Sequence, residues 1–473
     1  MSRLVSRVFA AALLAGALPL VGCGANPSAR VSGEAGSLNR AQVELFMAAL
    51  KEAPSHGFRP GAFGEARLAE QLERDPRGSR AAVRQAMVRY ANALHGHAIP
   101  KKAFARDWLR PAAYDAEAEL VRAAQAGQLE DWVKALPPSS AQYQSLRAAY
   151  AQYARIAQAG GWSPLPFDDD LKAGARGSQV VALRDRLAVE DPAARRAAAD
   201  GVFDPALVEA VKRAQLRYGL HATGDVDDDT RAALDLPVEM RLAQIRANLE
   251  RLRWMPREVP DTRVEANTAA GQVDLFRDGK PVMVMLAAAG KPGDETPMLV
   301  SAIDRVVLNP TWNVPEGIAA EEILPKGDGY LQRMGFTTGE GGRLIQQPGP
   351  QNALGQVKFL FDNPYAVYLH DTPAKAAFAR EQRAVSHGCV RLARALDLAQ
   401  ALLATEAGWS SERINAVLAS GETTEVKLAT PVPVFLNYLT AYPTPVGMAF
   451  RPDVYGWDSE VLRRLDAAGP HAA

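Results

Sequence analysis

At Arg263 the spacing of apolar residues changes character. Upstream, between Asn39 and Trp254, apolar side chains recur every three or four residues, as in Val43-Glu-Leu-Phe-Met-Ala-Ala-Leu50 and Val83-Arg-Gln-Ala-Met-Val-Arg-Tyr90. That interval lines one face of a helix. Downstream, Gln272-Val-Asp-Leu-Phe276, a turn at Asp278-Gly279 and Val282-Met-Val-Met-Leu286 read as a β-hairpin. A chain with this change in period is neither all-α nor all-β. It predicts a multidomain α+β protein, with helical units first and a mostly-β unit last.

The helical part divides further. Residues 39–160 are Ala-rich and predict a helical scaffold, broken at Gly57–Gly64 and His95–Pro100. His95-Gly96-His97 lacks a carboxylate or thiol at ligand spacing and reads as a loop or surface pair, not a metal site. Residues 165–236 place Val180, Leu183 and Leu187 at helical spacing, then Asp200-Gly-x-Phe203-Asp204, Val211, Ala214-Gln215, Gly219-Leu220 and Gly224-x-Val226-Asp227. The glycines mark turns between helices of a small three-helix core. The pattern resembles the three-helix type of peptidoglycan-binding domain; a plain helical spacer is the alternative. Residues 237–258 carry Val238, Leu242, Ile245, Leu249 and Leu252, one apolar stripe on a linker helix.

The amino terminus is of another kind. Arg3 and Arg7 precede an apolar run from Val8 to Val21, short of the ~20 residues that span a bilayer comfortably. Cys23 follows Leu20-Val21-Gly22, an arrangement that resembles the bacterial lipobox. That resemblance implies a lipoprotein signal peptide over 1–22, acylation of Cys23, and a flexible tether over 23–38. Gly24 implies sorting to the outer membrane, hence a lipid-anchored periplasmic protein. Lys+Arg and Asp+Glu are both 54, which argues against a nucleic-acid partner. With Cys23 acylated, Cys389 has no partner for an intrachain disulfide, and a lone thiol in an oxidising compartment points to a use for it.

The carboxy-terminal unit, 259–473, has further strand signals at Gln356–Phe361, Tyr365–Leu369, Val432–Tyr438 and Val446–Phe450. Helical signals lie at Ala393–Thr405 and Ser410–Ser420. About 326–349 is Gly-rich without a period, which suits a mobile lid over a site. Cys389 needs a base or a positive charge nearby to act as thiolate. His387 is two residues away and would project to the same side of an extended segment. His370 lies at the end of a predicted strand and meets Cys389 only through the fold. Spacing leaves the choice of base open. Gly388 permits close backbone approach, so amides at Gly388 and Cys389 could hold an oxyanion. Arg391 offers a fork for a carboxylate. A Cys-His-His metal site is disfavoured, because Asp371 is the one evident carboxylate to support either histidine. No metal or cofactor is expected.

His370 followed by Ser386-His387-Gly388-Cys389-Val390-Arg391 is similar to the signature of bacterial L,D-transpeptidases. The match extends through Asn309-Pro-x-Trp312, Asn352-x-x-Gly355-x-Val357-Lys358-Phe359, Tyr368-Leu-His-Asp-Thr-Pro373 and Arg383. It most resembles the large branch with a lid, a helical scaffold and a peptidoglycan-binding domain. The resemblance implies His370 as general base, Cys389 as nucleophile, His387 orienting the pair, and Gly388 contributing oxyanion backbone. Arg391, Ser386, Tyr368, Asn352 and Trp312 are the implied substrate contacts. The implied reaction joins peptidoglycan stem peptides by 3→3 cross-links through a cysteine thioester, releasing D-alanine. An L,D-carboxypeptidase on the same site, attachment of a lipoprotein lysine to the wall, and a wall-tethering lipoprotein are the alternatives, and wall-synthesis proteins are conceivable partners.

Overall fold

The computed structural model describes residues 38–196 and 201–467. The expected signal peptide, Cys23 and nearly all of the tether lie outside the described residues. Six α-helices build the scaffold: Arg40–Lys51, Glu65–Arg74, Arg80–Asn92, Ala116–Gln125, Leu129–Ala135 and Ala141–Gln158. Asn39 opens the first through a capping box with Gln42, satisfying two backbone donors that a helix start otherwise leaves free. Phe46, Leu50, Val83, Met87 and Tyr143 fill the core beneath them. His95 stacks on Tyr114 and His97 reaches the Ala112 carbonyl, so both belong to the loop rather than to a metal.

The binding module consists of helices Ser178–Glu190, Pro205–Tyr218 and Asp228–Asp235, packed through Val180, Leu183, Leu187, Leu207, Val211 and Leu234. Asp204 and Asp227 each cap a helix, accepting from the N–H of Leu207 and of Thr230 at 2.8 Å. Glu190 ties this module to the scaffold, accepting from Tyr153 at 2.6 Å and from Arg186 at 2.8 Å.

Helix Val238–Trp254 is the axle of the molecule. Its apolar stripe is present, but the faces between the stripe are buried as well, unlike an amphipathic linker. Glu250 and Arg253 are buried against each other at 2.5 Å, and the Trp254 indole N–H donates to Glu250 at 2.9 Å. Arg251 is paired with Asp458 on the carboxy-terminal helix Trp457–Ala467. Asn248 donates to Thr440 at 2.6 Å. Buried charges persist only when paired and hydrogen-bonded, and here scaffold, axle and carboxy-terminal segment supply each other's partners.

Fourteen strands follow: β1 (Arg263–Asn267), β2 (Gln272–Arg277), β3 (Lys280–Gly290), β4 (Leu299–Leu308), β5 (Trp312–Asn313), β6 (Phe336–Thr338), β7 (Leu344–Gln346), β8 (Val357–Phe361), β9 (Leu369–His370), β10 (Ala384–Ser386), β11 (Val390–Leu392), β12 (Thr424–Asn437), β13 (Ala441–Thr444) and β14 (Gly447–Phe450). The β2–β3 turn has Asp278 at φ 50° and Gly279 at φ 71°, the left-handed pair that a two-residue hairpin requires. Strand order β3-β11-β9-β8-β4-β12-β1-β2 closes on itself through β2–β3, and β10 adds beside β3. Val273, Ile303, Phe359, Leu369, Val390 and Leu436 form its core, to which helix Ala395–Leu403 adds Leu398 and Leu402.

Three elements differ from expectation. Of Tyr365–Leu369 only Leu369 is strand, in β9. Val446–Phe450 gives a strand that joins no strand of the barrel: β14 pairs with β13, and Phe450 packs on Tyr153 and Tyr218 of the helical units. The segment expected as a lid is folded, and its sheet and core extend beyond 326–349. Strands β5, β7 and β6 form a small sheet, and Val314, Ala319, Ile323 and Leu344 make a separate core with Trp312 and Phe336 against it.

Candidate active site

Alternation along β9 sends Leu369 into the core and His370 to the opposite face, with Tyr368 on the same side as His370. Its two neighbours carry matching residues. Lys358 on β8 and Arg391 on β11 both register opposite His370. Cys389 directly precedes β11, where the Val390 N–H donates to the Tyr368 carbonyl at 3.1 Å, so Cys389 comes level with Tyr368. The fold thus brings Lys358, Tyr368, His370, Cys389 and Arg391 onto one face of three adjacent strands.

His370 is buried, and its Nδ1 lies 2.5 Å from the Asp371 carbonyl oxygen. A carbonyl only accepts, so Nδ1 carries the proton and Nε2 keeps a free lone pair. Burial pushes the imidazole down to about 3, helped by the charges of Arg391 and Lys358 and opposed by the Asp371 bond. It is therefore neutral across the physiological range. Burial pushes the Cys389 thiol up, while Tyr368, Lys358 and Arg391 pull it down. A neutral imidazole with an open nitrogen, a thiol and two cations can run proton transfer and nucleophilic attack.

Gly388 has φ 102°, a left-handed backbone suited to glycine. Its carbonyl accepts from Thr296 at 2.8 Å, and Thr296 in turn accepts from the Gly290 N–H at 2.9 Å. Tyr455 donates to the Gly290 carbonyl at 2.7 Å. This chain of bonds fixes the loop that carries Gly388. Among the described residues, the N–H groups of Gly388 and Cys389 donate to no backbone acceptor. Arg391 keeps a buried Nε without a partner.

Other expected residues sit elsewhere. Ser386 is buried and donates to the Cys389 carbonyl at 2.5 Å, so it shapes the loop and is closed to a substrate. Asn352 is buried too: its amide donates to the carbonyls of Pro310 and Gln347, both at 3.0 Å, and its oxygen accepts from Leu354. It anchors the foot of the lid. His387 lies 2.7 Å from Glu322 of the lid and 3.3 Å from Lys291, and makes no hydrogen bond with His370 or Cys389. Its contacts run to Glu322 and Lys291. Trp312 lies half-buried on β5, paired with Gln346 of β7. Lys358, Thr296 and Glu322 were not among the expected site residues. Only Lys358 left a trace, as the polar member between core residues Val357 and Phe359. A cleft of ≈ 1080 Å³ lies between scaffold residues Phe104–Arg110 and the barrel at Met298–Val300, and contains none of these side chains.

Residues 261–434 match the family model "L,D-transpeptidase catalytic domain", and 176–234 match "Putative peptidoglycan binding domain". Residues 35–150 match a model described as "Scaffold domain". A Haemophilus influenzae protein named "Putative L,D-transpeptidase" is 32% identical over 238 residues, covering 45% of this chain and 48% of that protein. The chain therefore spans about half the length of that curated relative. Solved structures include an L,D-transpeptidase from Stackebrandtia nassauensis, at 16% identity and TM-score 0.23 over 58% of this chain and 98% of that one. An L,D-transpeptidase from Mycobacterium smegmatis gives 17% identity and TM-score 0.21 over 37% and 58%. Overlays at such scores define neither fold nor function. The sequence matches liken 261–434 to the L,D-transpeptidase catalytic domain and 176–234, ahead of it, to a peptidoglycan-binding domain.

Proposed function

We propose that the chain is a cysteine acyltransferase that cross-links peptidoglycan stem peptides in the 3→3 sense. The observation that carries this reading is the shared face of His370 and Cys389, with a lone pair on Nε2 and free amides at Gly388 and Cys389. The Cys389 proton passes to His370 Nε2 as sulfur attacks the carbonyl carbon of the third stem residue, a diamino acid. The oxyanion is received by the two amides. The C–N bond to the terminal D-alanine then breaks, its amine takes the proton from His370, and a thioester remains. The side-chain amine of a second stem attacks that thioester, gives its proton to His370 and releases the sulfur. Arg391, on the same face beside His370, would bind a carboxylate of the stem through its guanidinium fork.

Purified tetrapeptide muropeptides incubated with the enzyme are expected to give 3→3 dimers by mass spectrometry, and Cys389→Ala none. Dimers from the variant would sink the nucleophile assignment, whereas trimmed tripeptides alone from the native enzyme would favour the carboxypeptidase reading. The same reading places the protein in the periplasm, held to the outer membrane through an acylated Cys23. It is supported by the apolar run before Leu20-Val-Gly-Cys23. Cys23→Ser is expected to move the protein from the membrane to the soluble periplasmic fraction; unchanged fractionation would remove the anchor.

A further inference from the structure

We propose that Lys358 is the counter-charge of the Cys389 thiolate, an inference that rests on reading Cys389 as the nucleophile. Lys358 stands on β8 opposite His370, on the face that carries Tyr368 and Cys389. Its ammonium lies 3.9 Å from the centre of the Tyr368 ring, and Tyr368 registers level with Cys389 on the neighbouring strand. The lysine is half-buried, and its charge has no dedicated partner among the described residues. Glu425, the carboxylate that acts on it, is engaged by Arg305 at 3.5 Å.

A half-buried ammonium without a carboxylate is a standing cost, because desolvation penalises the charged form. Burial does lower Lys358, and the strongest opposing influence is Cys389. The neighbouring cation, Arg391, divides its attraction between Cys389 and Glu322 of the lid. His370 cannot be a standing counter-ion, since the cations that favour an anionic sulfur disfavour an imidazolium beside them. Lys358 is left as the cation on the face that carries the sulfur. When the thiol proton moves to His370 Nε2, negative charge appears on Sγ beside Lys358. When the acceptor amine breaks the C–S bond, sulfur departs with the electron pair and the charge returns to the same place. One fixed cation thereby serves both half-reactions.

The test is the pH dependence of Cys389 alkylation by iodoacetamide, a neutral reagent that a lysine does not steer. It uses the full chain, with peptide mass mapping to separate Cys389 from Cys23. Lys358→Met keeps the aliphatic stem against Tyr368 and removes the charge. It is expected to raise the apparent thiol pKa by about one unit, slowing alkylation at pH 7 about tenfold. Lys358→Arg is expected to restore the native profile. A Met variant whose profile superimposes on the native one, or an Arg variant as slow as Met, would overturn the proposal. If Lys358→Met does not fold, Lys358→Gln carries the same comparison. Alkylation needs no wall peptide, so it is decided independently of the transpeptidase reading, which Cys389→Ala decides.

Discussion

His370 is held by a residue that never meets the thiol. Its Nδ1 proton rests on the Asp371 carbonyl, and Asp371 is itself clamped: Oδ2 accepts from the Gln356 N–H at 2.9 Å and Oδ1 pairs with Lys375 at 2.5 Å. Gly355 makes that clamp possible. It sits at φ 62°, and a Cβ there would stand 2.3 Å from Asp371 Oδ2. Gly355→Ala therefore pays twice, about 1–2 kcal/mol for a left-handed alanine and more for displacing the carboxylate. We expect a lower melting temperature and carbapenem acylation of Cys389 slowed at least tenfold, followed by intact-protein mass. Acylation at the native rate would show that the clamp does not set the imidazole. Residue types were legible here where roles were not. Ser386 and Asn352 lie inside the family pattern, yet both spend their hydrogen bonds on protein carbonyls and amides. Sequence shows a polar residue; only the fold shows what has already used its donors.

At the scale of elements, what was legible followed from local periodicity. The β2–β3 hairpin announced itself through alternation and an Asp-Gly turn, and the module's helices through apolar spacing and the glycines that mark turns between them. Misreadings arose where tertiary partners decide. In the segment expected as a lid, Gly-rich sequence without a period suggested a mobile flap, but short strands pair across it and Val314, Ile323 and Leu344 give it a core. Three of its four buried core residues, Val314, Ala319 and Ile323, lie before residue 326, in a stretch whose period is interrupted by Pro315 and Gly317. The axle helix failed in the opposite sense. One apolar stripe gave no sign that Glu250, Arg251 and Arg253 are buried too, because sequence does not show that Asp458 and the His56 carbonyl wait on elements roughly two hundred residues away. The same distance hid the fate of β14, which packs on the helical units and thereby fastens the catalytic unit to them.

Across the whole molecule, these fastenings share a dependence on pH. Three histidines are held neutral. Burial, with nearby arginines, pushes His56 down to about 2 and His95 to about 3, and His370 is likewise held at about 3. Unfolded, each would titrate near 6.5. Between about 3 and 6.5 the unfolded chain thus binds up to three protons that the folded chain refuses, so stability falls as pH is lowered through that window. Asp274, raised to about 6 by burial, and Asp458, raised likewise, act oppositely: the folded state keeps their protons and gains relative to the unfolded one as pH falls. Two carboxyls against three imidazoles leave net proton uptake on unfolding. Glu190, held at about 2 because Arg186 and Arg217 outweigh its burial, adds to the loss only below about 4.5. The midpoint of thermal unfolding is therefore expected to drop steadily from pH 7 to pH 5. His56 is the position to probe, since it lies in the scaffold, 2.9 Å from the Tyr143 hydroxyl and away from the catalytic face. His56→Gln keeps a hydrogen-bonding side chain and removes one refused proton. It is expected to flatten the slope by about 1.4 kcal/mol per pH unit while leaving carbapenem acylation of Cys389 unchanged. A slope identical to the native one would mean that the imidazole at 56 is not the group resisting protonation.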